Sequence, residues 1–158
     1  MKVYVFDTSS FRVMDHYFHD RFPSFWRDFE SSLRDGEILS TREVYNEIMD
    51  QGIRLHLADW IKSNRSIFPI PADSETSFLP QIFSIKPFQQ LVNEKARLKG
   101  KPVADPFVIA AAKAKDDGCV VTEEKPKPNS PNIPSVCRHF DIACCNLEAF
   151  MNSKGWAY

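Results

Sequence analysis

Apolar residues along the chain fall into short blocks separated by polar punctuation, and the two periods of secondary structure alternate between them. Residues 2–6, Lys-Val-Tyr-Val-Phe, are β-branched and aromatic and predict a buried first strand. Phe25, Trp26, Phe29 and Leu33 recur at helical spacing and predict a helix over 24–34. Asp35-Gly36 is a turn signal, and a short strand from Glu37 to Ser40 follows it. Ser40 and Thr41 are candidate N-caps for a helix to about Met49. Leu55, Leu57, Trp60 and Ile61 predict another short helix. Residues 67–70, Ile-Phe-Pro-Ile, read as an edge strand, because proline bars a central position.

The stretch 73–102 reads as helix around Thr76–Phe83 and Pro87–Leu98, interrupted at Pro80 and Pro87. Asp105-Pro106, a cap residue followed by proline at the first helical position, opens an apolar helix to Lys115 that Gly118 ends. Residues 119–122 form the next strand. A Lys- and Pro-rich loop spans 125–132, a short helix lies near 134–139, a strand at 142–145, and a helix at 146–153 ended by Gly155. Strands and helices alternate over most of the chain, which predicts an α/β fold with a mostly parallel sheet covered by helices on both faces. The chain has 158 residues, the size of a single domain spanning 1–158.

Composition narrows the class. Hydrophobic residues make up 43% and charged residues 26%, which fits a globular chain and excludes collagen and disorder. The longest apolar run, Phe107 to Ala112, is far too short to span a membrane. The N-terminal apolar stretch stops at Asp7, short of a signal-peptide core, so a cytoplasmic location is expected. The net charge of −1 leaves nucleic-acid contact to a local patch. Lys86, Lys95, Arg97, Lys99 and Lys101 form one, opposed only by Glu94. It reads equally as a solvated helix face or as an RNA-binding surface. Cys119, Cys137, Cys144 and Cys145 contain no C-x-x-C pair and read as free thiols.

Ligands of parallel sheets sit outside the carboxyl ends of the strands, and acids stand at those places. Asp7 follows the first strand. Glu43 and Glu47 lie on the helix after the second. Asp105 starts the apolar helix, and Glu123 and Glu124 follow strand 119–122. Each has an ordinary reading as a strand end, a cap, a solvated face or a loop. Together they suggest carboxylates converging from four segments. Such a cluster repels itself without a cation, and its hard oxygens suit Mg²⁺ or Mn²⁺. Other chemistries fit less well. An aspartyl phosphatase wants Asp where Ser9 stands, and a receiver domain wants a lysine on the last strand. A dinucleotide fold wants a glycine-rich turn after the first strand. A zinc site from Cys137, His139, Cys144 and Cys145 would rest on adjacent cysteines, which chelate poorly.

Asp7-Thr8-Ser9-Ser10, Val44-Tyr45-Asn46-Glu47-Ile48, Ala104-Asp105-Pro106-Phe107-Val108-Ile109-Ala110 and Val120-Val121-Thr122-Glu123-Glu124 resemble, in order and approximate spacing, the motifs of the PIN domain. The likeness is to a PIN-like branch akin to VapC-type toxins. It implies a three-layer α/β/α sandwich and a Mg²⁺- or Mn²⁺-dependent ribonuclease, often the toxin of a toxin–antitoxin pair. Asp7, Glu47, Asp105 and Glu124 match the family's acidic quartet as catalytic metal ligands, and Ser9 and Thr122 match its small hydroxyl positions. Glu43 competes with Glu47, and Glu123 with Glu124, where the family usually has Asp. Expected partners are RNA, gripped by Lys95, Arg97, Lys99 and Lys101, an antitoxin protein and a second copy of the chain. The competing class is a catalytically weak binding module that meets a protein partner through Tyr17, Phe18, Phe22, Phe25, Trp26 and Phe29. Plain core packing would explain at least half of those rings.

Overall fold

A computed structural model describes residues 1–51, 56–91, 103–127 and 131–158. Its centre is β1 (Val3–Phe6), whose residues become fully buried toward its carboxyl end. Two helices follow, α1 (Thr8–Met14) and α2 (Pro23–Arg34). The chain continues through β2 (Ile38–Leu39), α3 (Arg42–Asp50) and α4 (Ala58–Ser63). Two one-turn helices, α5 (Asp73–Thr76) and α6 (Leu79–Phe83), lead by way of a 3₁₀ segment at Lys86–Leu91 toward α7 (Asp105–Lys113). Then come β3 (Gly118–Val121), α8 (Ile133–His139), β4 (Ala143–Cys145) and α9 (Leu147–Ser153).

The four strands form one all-parallel sheet in the order β2-β1-β3-β4. Helices cover both faces, giving the α/β/α sandwich. Parallel crossovers are right-handed. The step from β1 to β2 runs one way along the sheet and those from β2 to β3 and β4 run the other. The first crossover therefore lies on one face and α7 and α8 on the opposite one. The strand order reverses between β1 and β3, so the ligand crevice of such a sheet opens at their carboxyl ends.

Rings fill the first face. Phe6 lies 5.5 Å from Phe29 of α2 and 5.1 Å from Phe150 of α9, both edge-to-face. Phe25, Trp26 and Phe29 are buried core, and Tyr17 packs against it. Phe18 and Phe22 remain exposed, so the aromatic stretch divides between core and surface. On the other face α7 carries Val108, Ile109 and a run of alanines that lets the helix lie close to the sheet.

Several expectations are corrected. Residues 67–70 form no strand: Arg65–Ile67 is a 3₁₀ turn, whose closure ties the Phe68 amide to Arg65. Toward Ser40 and Arg42 the segment accepts bonds at Ile67 and Pro69 and returns none, because Pro69 has no N–H. The cap of α7 is Ala104, and Asp105 is its first helical residue. That helix ends at Lys113, two residues before Lys115. Gly118 opens β3 instead of closing α7. The helix expected around Thr76–Phe83 is split into α5 and α6. The chain also forms α1, a helix that the Thr-Ser-Ser run conceals. Leu55 and most of the Pro87–Leu98 segment lie outside the described residues.

Gly118 is a steric requirement. A Cβ there would stand 2.0 Å from the carbonyl oxygen of Ala112, so only glycine lets β3 leave α7 so tightly. Gly118→Ala should therefore cost about 3 kcal/mol of stability through forced backbone shifts. Urea denaturation of the two proteins side by side checks this, and equal midpoints would refute it.

Candidate functional site

Asp7 leaves the carboxyl end of β1 and caps α1, accepting the Ser10 amide at 2.9 Å. It is only 3% exposed, and the surrounding donors compensate that burial. Ser9 Oγ lies 2.8 and 2.9 Å from its two oxygens, Ser10 Oγ 3.0 Å from one and Thr122 Oγ1 2.6 Å from the other. The same hydroxyls accept from the strand exit opposite. The Glu123 amide donates to Ser9 Oγ at 2.9 Å and the Glu124 amide to Thr122 Oγ1 at 3.1 Å. Ser9 and Thr122 are thus placed beside Asp7. The Asp7 carboxylate is largely saturated by protein donors.

Three other acids stand around it with oxygens to spare. Glu47 Oε2 accepts the Ala104 amide at 3.0 Å, which ties α3 to the start of α7. Glu124 Oε2 accepts the Ile133 amide at 2.9 Å, at the start of α8. Asp105 has no hydrogen-bond partner among the described residues, although it is largely withdrawn from solvent. Burial and the charges of Glu124, Glu47 and Asp7 push its pKa from 3.8 up to about 8. Burial is also the leading cause of raised values at Asp7, Glu47 and Glu124. The charge of Asp7 adds to the rise at Glu47, and those of Asp7 and Glu47 to the rise at Glu124. Four segments that are distant in sequence therefore place four mutually repelling carboxylates at the switch point of the sheet.

The two competing acids are turned elsewhere. Glu43 pairs with Arg42 at 2.8 Å, and its charge acts on Glu75 of α5. Glu123 accepts the Leu147 amide at 2.7 Å, at the start of α9. Lys95, Arg97, Lys99 and Lys101 lie outside the described residues. The cysteines are all free thiols. Cys119 meets Cys145 at 3.6 Å, Cys137 lies beside Cys144, and His139 stacks edge-on against Phe88 and Phe140. Sequence reasoning missed one member of the site. Thr8 Oγ1 is buried beside Glu47, close enough to hold down part of the rise in its pKa, and its place immediately after Asp7 is the available signal.

Among the described residues, no three carboxylate, thiolate or imidazole side chains stand close enough to enclose a metal directly. The donor set nevertheless fits a hard cation. It is all oxygen, Asp105 has no partner among the described residues, Glu124 engages one oxygen with the Ile133 amide, and the Thr8 hydroxyl lies beside Glu47. Mg²⁺ keeps several of its waters and needs only one or two direct carboxylates.

Fold and site together define an α/β protein with a four-strand parallel sheet and an acidic crevice at its switch point. The chain belongs to the family described as Domain of unknown function (DUF4411), which it matches over residues 4–158. No curated protein and no solved structure matches it. No helix among the described residues is long and apolar enough to cross a membrane.

The raised pKa of Asp105 has a direct consequence for stability in EDTA. The folded chain keeps a proton that the unfolded chain releases above about pH 4, so folding loses stability as pH rises from there to about 8 and then levels off. Asp105→Asn removes that loss. Melting curves should nearly coincide close to pH 4, and the variant should be the more stable at pH 8. A wild type more stable than the variant at pH 8 would contradict the arrangement of charges.

Proposed function

We propose that this chain is a Mg²⁺- or Mn²⁺-dependent ribonuclease of the PIN type, hydrolysing RNA phosphodiester bonds in the cytoplasm as the toxin of a toxin–antitoxin pair. The observation that carries the reading is Asp105. An unpartnered carboxylate, surrounded by three others and pushed to about 8, is an arrangement that a cation would relieve. A structural cap would show a hydrogen bond to the helix amides, and this side chain makes none among the described residues.

Asp105, Glu47 and Glu124 would hold the ion. When bound, it supplies a water of lowered pKa and charge neutralisation at the phosphate. Glu47, with Thr8 beside it, would orient that water. Asp7 holds the hydroxyls of Ser9 and Thr122, and through them the exit of β3 that carries Glu124. Its saturated carboxylate favours this anchoring role over direct ligation. The raised pKa of Asp105 keeps it protonated below about 8 until a cation displaces the proton, so activity should rise from acid toward mildly alkaline pH. The cations of residues 95–101 are assigned to RNA. The exposed Phe18 and Phe22 are assigned to an antitoxin, and a second copy of the chain is a further partner of the proposal.

The test uses purified wild type and Asp105→Asn with a mixed RNA pool and Mn²⁺. Wild type should cleave, and the variant should lose roughly a hundredfold in rate. Mn²⁺ at a hundred times its dissociation constant should stabilise wild type by about 2.7 kcal/mol and the variant less. Absence of both cleavage and a Mn²⁺-dependent shift in wild type would overturn the proposal.

A further inference from the structure

Beside Glu124 the sheet edge opens into a second feature, a half-open cavity of about 450 Å³. That volume lies within the range of small-ligand sites. Its floor is β4, where Cys144 and Cys145 are partly exposed, and its flanks are Ile142, Pro126 and Pro134. The flank formed by the strand exit is held in place. Asn132 Nδ2 donates to the Lys125 carbonyl at 2.6 Å, and Ser135 Oγ to the Lys127 carbonyl at 3.3 Å. These bonds tie the strand exit to the start of α8 on two sides of the cavity.

Its rim is rich in donors. Arg138 and Lys125 are exposed, and among the described residues neither has a carboxylate within ion-pair distance. Asn146 uses Oδ1 to cap α9 through the Ala149 amide at 2.8 Å, so its NH₂ faces no protein acceptor among the described residues. Flat apolar flanks with unengaged cations and an amide donor at the rim suit a planar ring that carries acceptors on its edge. Single-stranded RNA offers such a ring in every base. The cavity also shares Thr122 and Glu124 with the acidic crevice. Its occupant would lie within one nucleotide of a phosphate held there.

We infer that this cavity takes the base of the nucleotide next to the scissile phosphate. Arg138 and Lys125 secure its edge or its phosphate, and Asn146 donates to the base. The inference rests on the ribonuclease reading, but its first test does not depend on catalysis. The 5′-monophosphates of adenosine, guanosine, cytidine and uridine are titrated into the chain in EDTA, with inorganic phosphate as control, while backbone amide shifts are followed by NMR. Saturable shifts at Cys144, Cys145 and Asn146 are expected with at least one nucleotide and not with phosphate. They should weaken about tenfold in Arg138→Ala, the loss of one charge-assisted hydrogen bond. The second test is cleavage of a mixed RNA pool with Mn²⁺. There Arg138→Ala and Lys125→Ala, both at exposed positions, should raise KM and redistribute the cut sites. Shifts equal with phosphate alone, or none with any nucleotide at 10 mM, overturn the base site. Unchanged KM and cut sites in both variants do the same. If wild type cleaves no RNA, the ribonuclease reading falls separately, and the mononucleotide titration still decides the cavity.

Discussion

One buried carboxylate organises this molecule. Asp7 sits where β1 ends, 3% exposed, and a carboxylate there is tolerable only if donors converge on it. They come from two directions: the first turn of α1 through Ser9 and Ser10, and the exit of β3 through Thr122. Hydrogen bonds to a charged group contribute about 1.5–3 kcal/mol each. The same contacts start the first helix and align the two central strand ends. Because Ser9 and Thr122 also accept the amides of Glu123 and Glu124, the constraint extends to the acids themselves. The direction in which those glutamates leave the strand follows from what Asp7 must be given.

Around that anchor the site works against stability. Four carboxylates that raise one another's pKa are a poor way to hold helices together, and apolar residues would do it better. What keeps them in place is the scaffold. The buried rings about Phe6 fix α2 and α9 on one face, and the glycine contact between β3 and α7 fixes Asp105 on the other. The backbone bonds of Glu47 and Glu124 then each tie a helix start to the crevice. A strained acidic group on a rigid frame is the usual compromise between stability and function.

The legible part of this architecture is the part written locally. Lys2–Phe6 announces a buried strand by composition, and it is the second strand in from one edge of the sheet. The acids at strand ends follow from alternation of elements alone. Other features depend on contacts that sequence spacing does not contain. Glu43 and Glu47 lie on adjacent turns of α3, and only the rotation of that helix against α7 and α5 separates their roles. Thr8-Ser9-Ser10 has the composition of a turn, yet the buried Phe11 and Met14 draw it into α1. Ile67–Ile70 has the composition of a strand, yet Ser40 and Arg42 donate to it and Pro69 has no N–H to complete the ladder. Gly118 looked like a helix terminator, because the carbonyl it must clear lies on another element.

The length of the glutamate at position 124 has structural consequences of its own. Its backbone is held by Thr122, and one carboxylate oxygen reaches the Ile133 amide. Its charge also acts on Asp105, whose pKa it raises more than either of the other acids does. One carboxylate thus spans the distance from the start of α8 to the crevice. An aspartate, one methylene shorter, would have to give up one of these ends or draw α8 inward against the sheet. Pulling α8 inward would also narrow the cavity beside it, because Pro134 and Arg138 on that helix form part of its lining. The longer acid therefore separates the helix from the strand exit by the width that both openings share. The reach of Glu124 to the start of α8 and the presence of the second cavity thus depend on the same side-chain length.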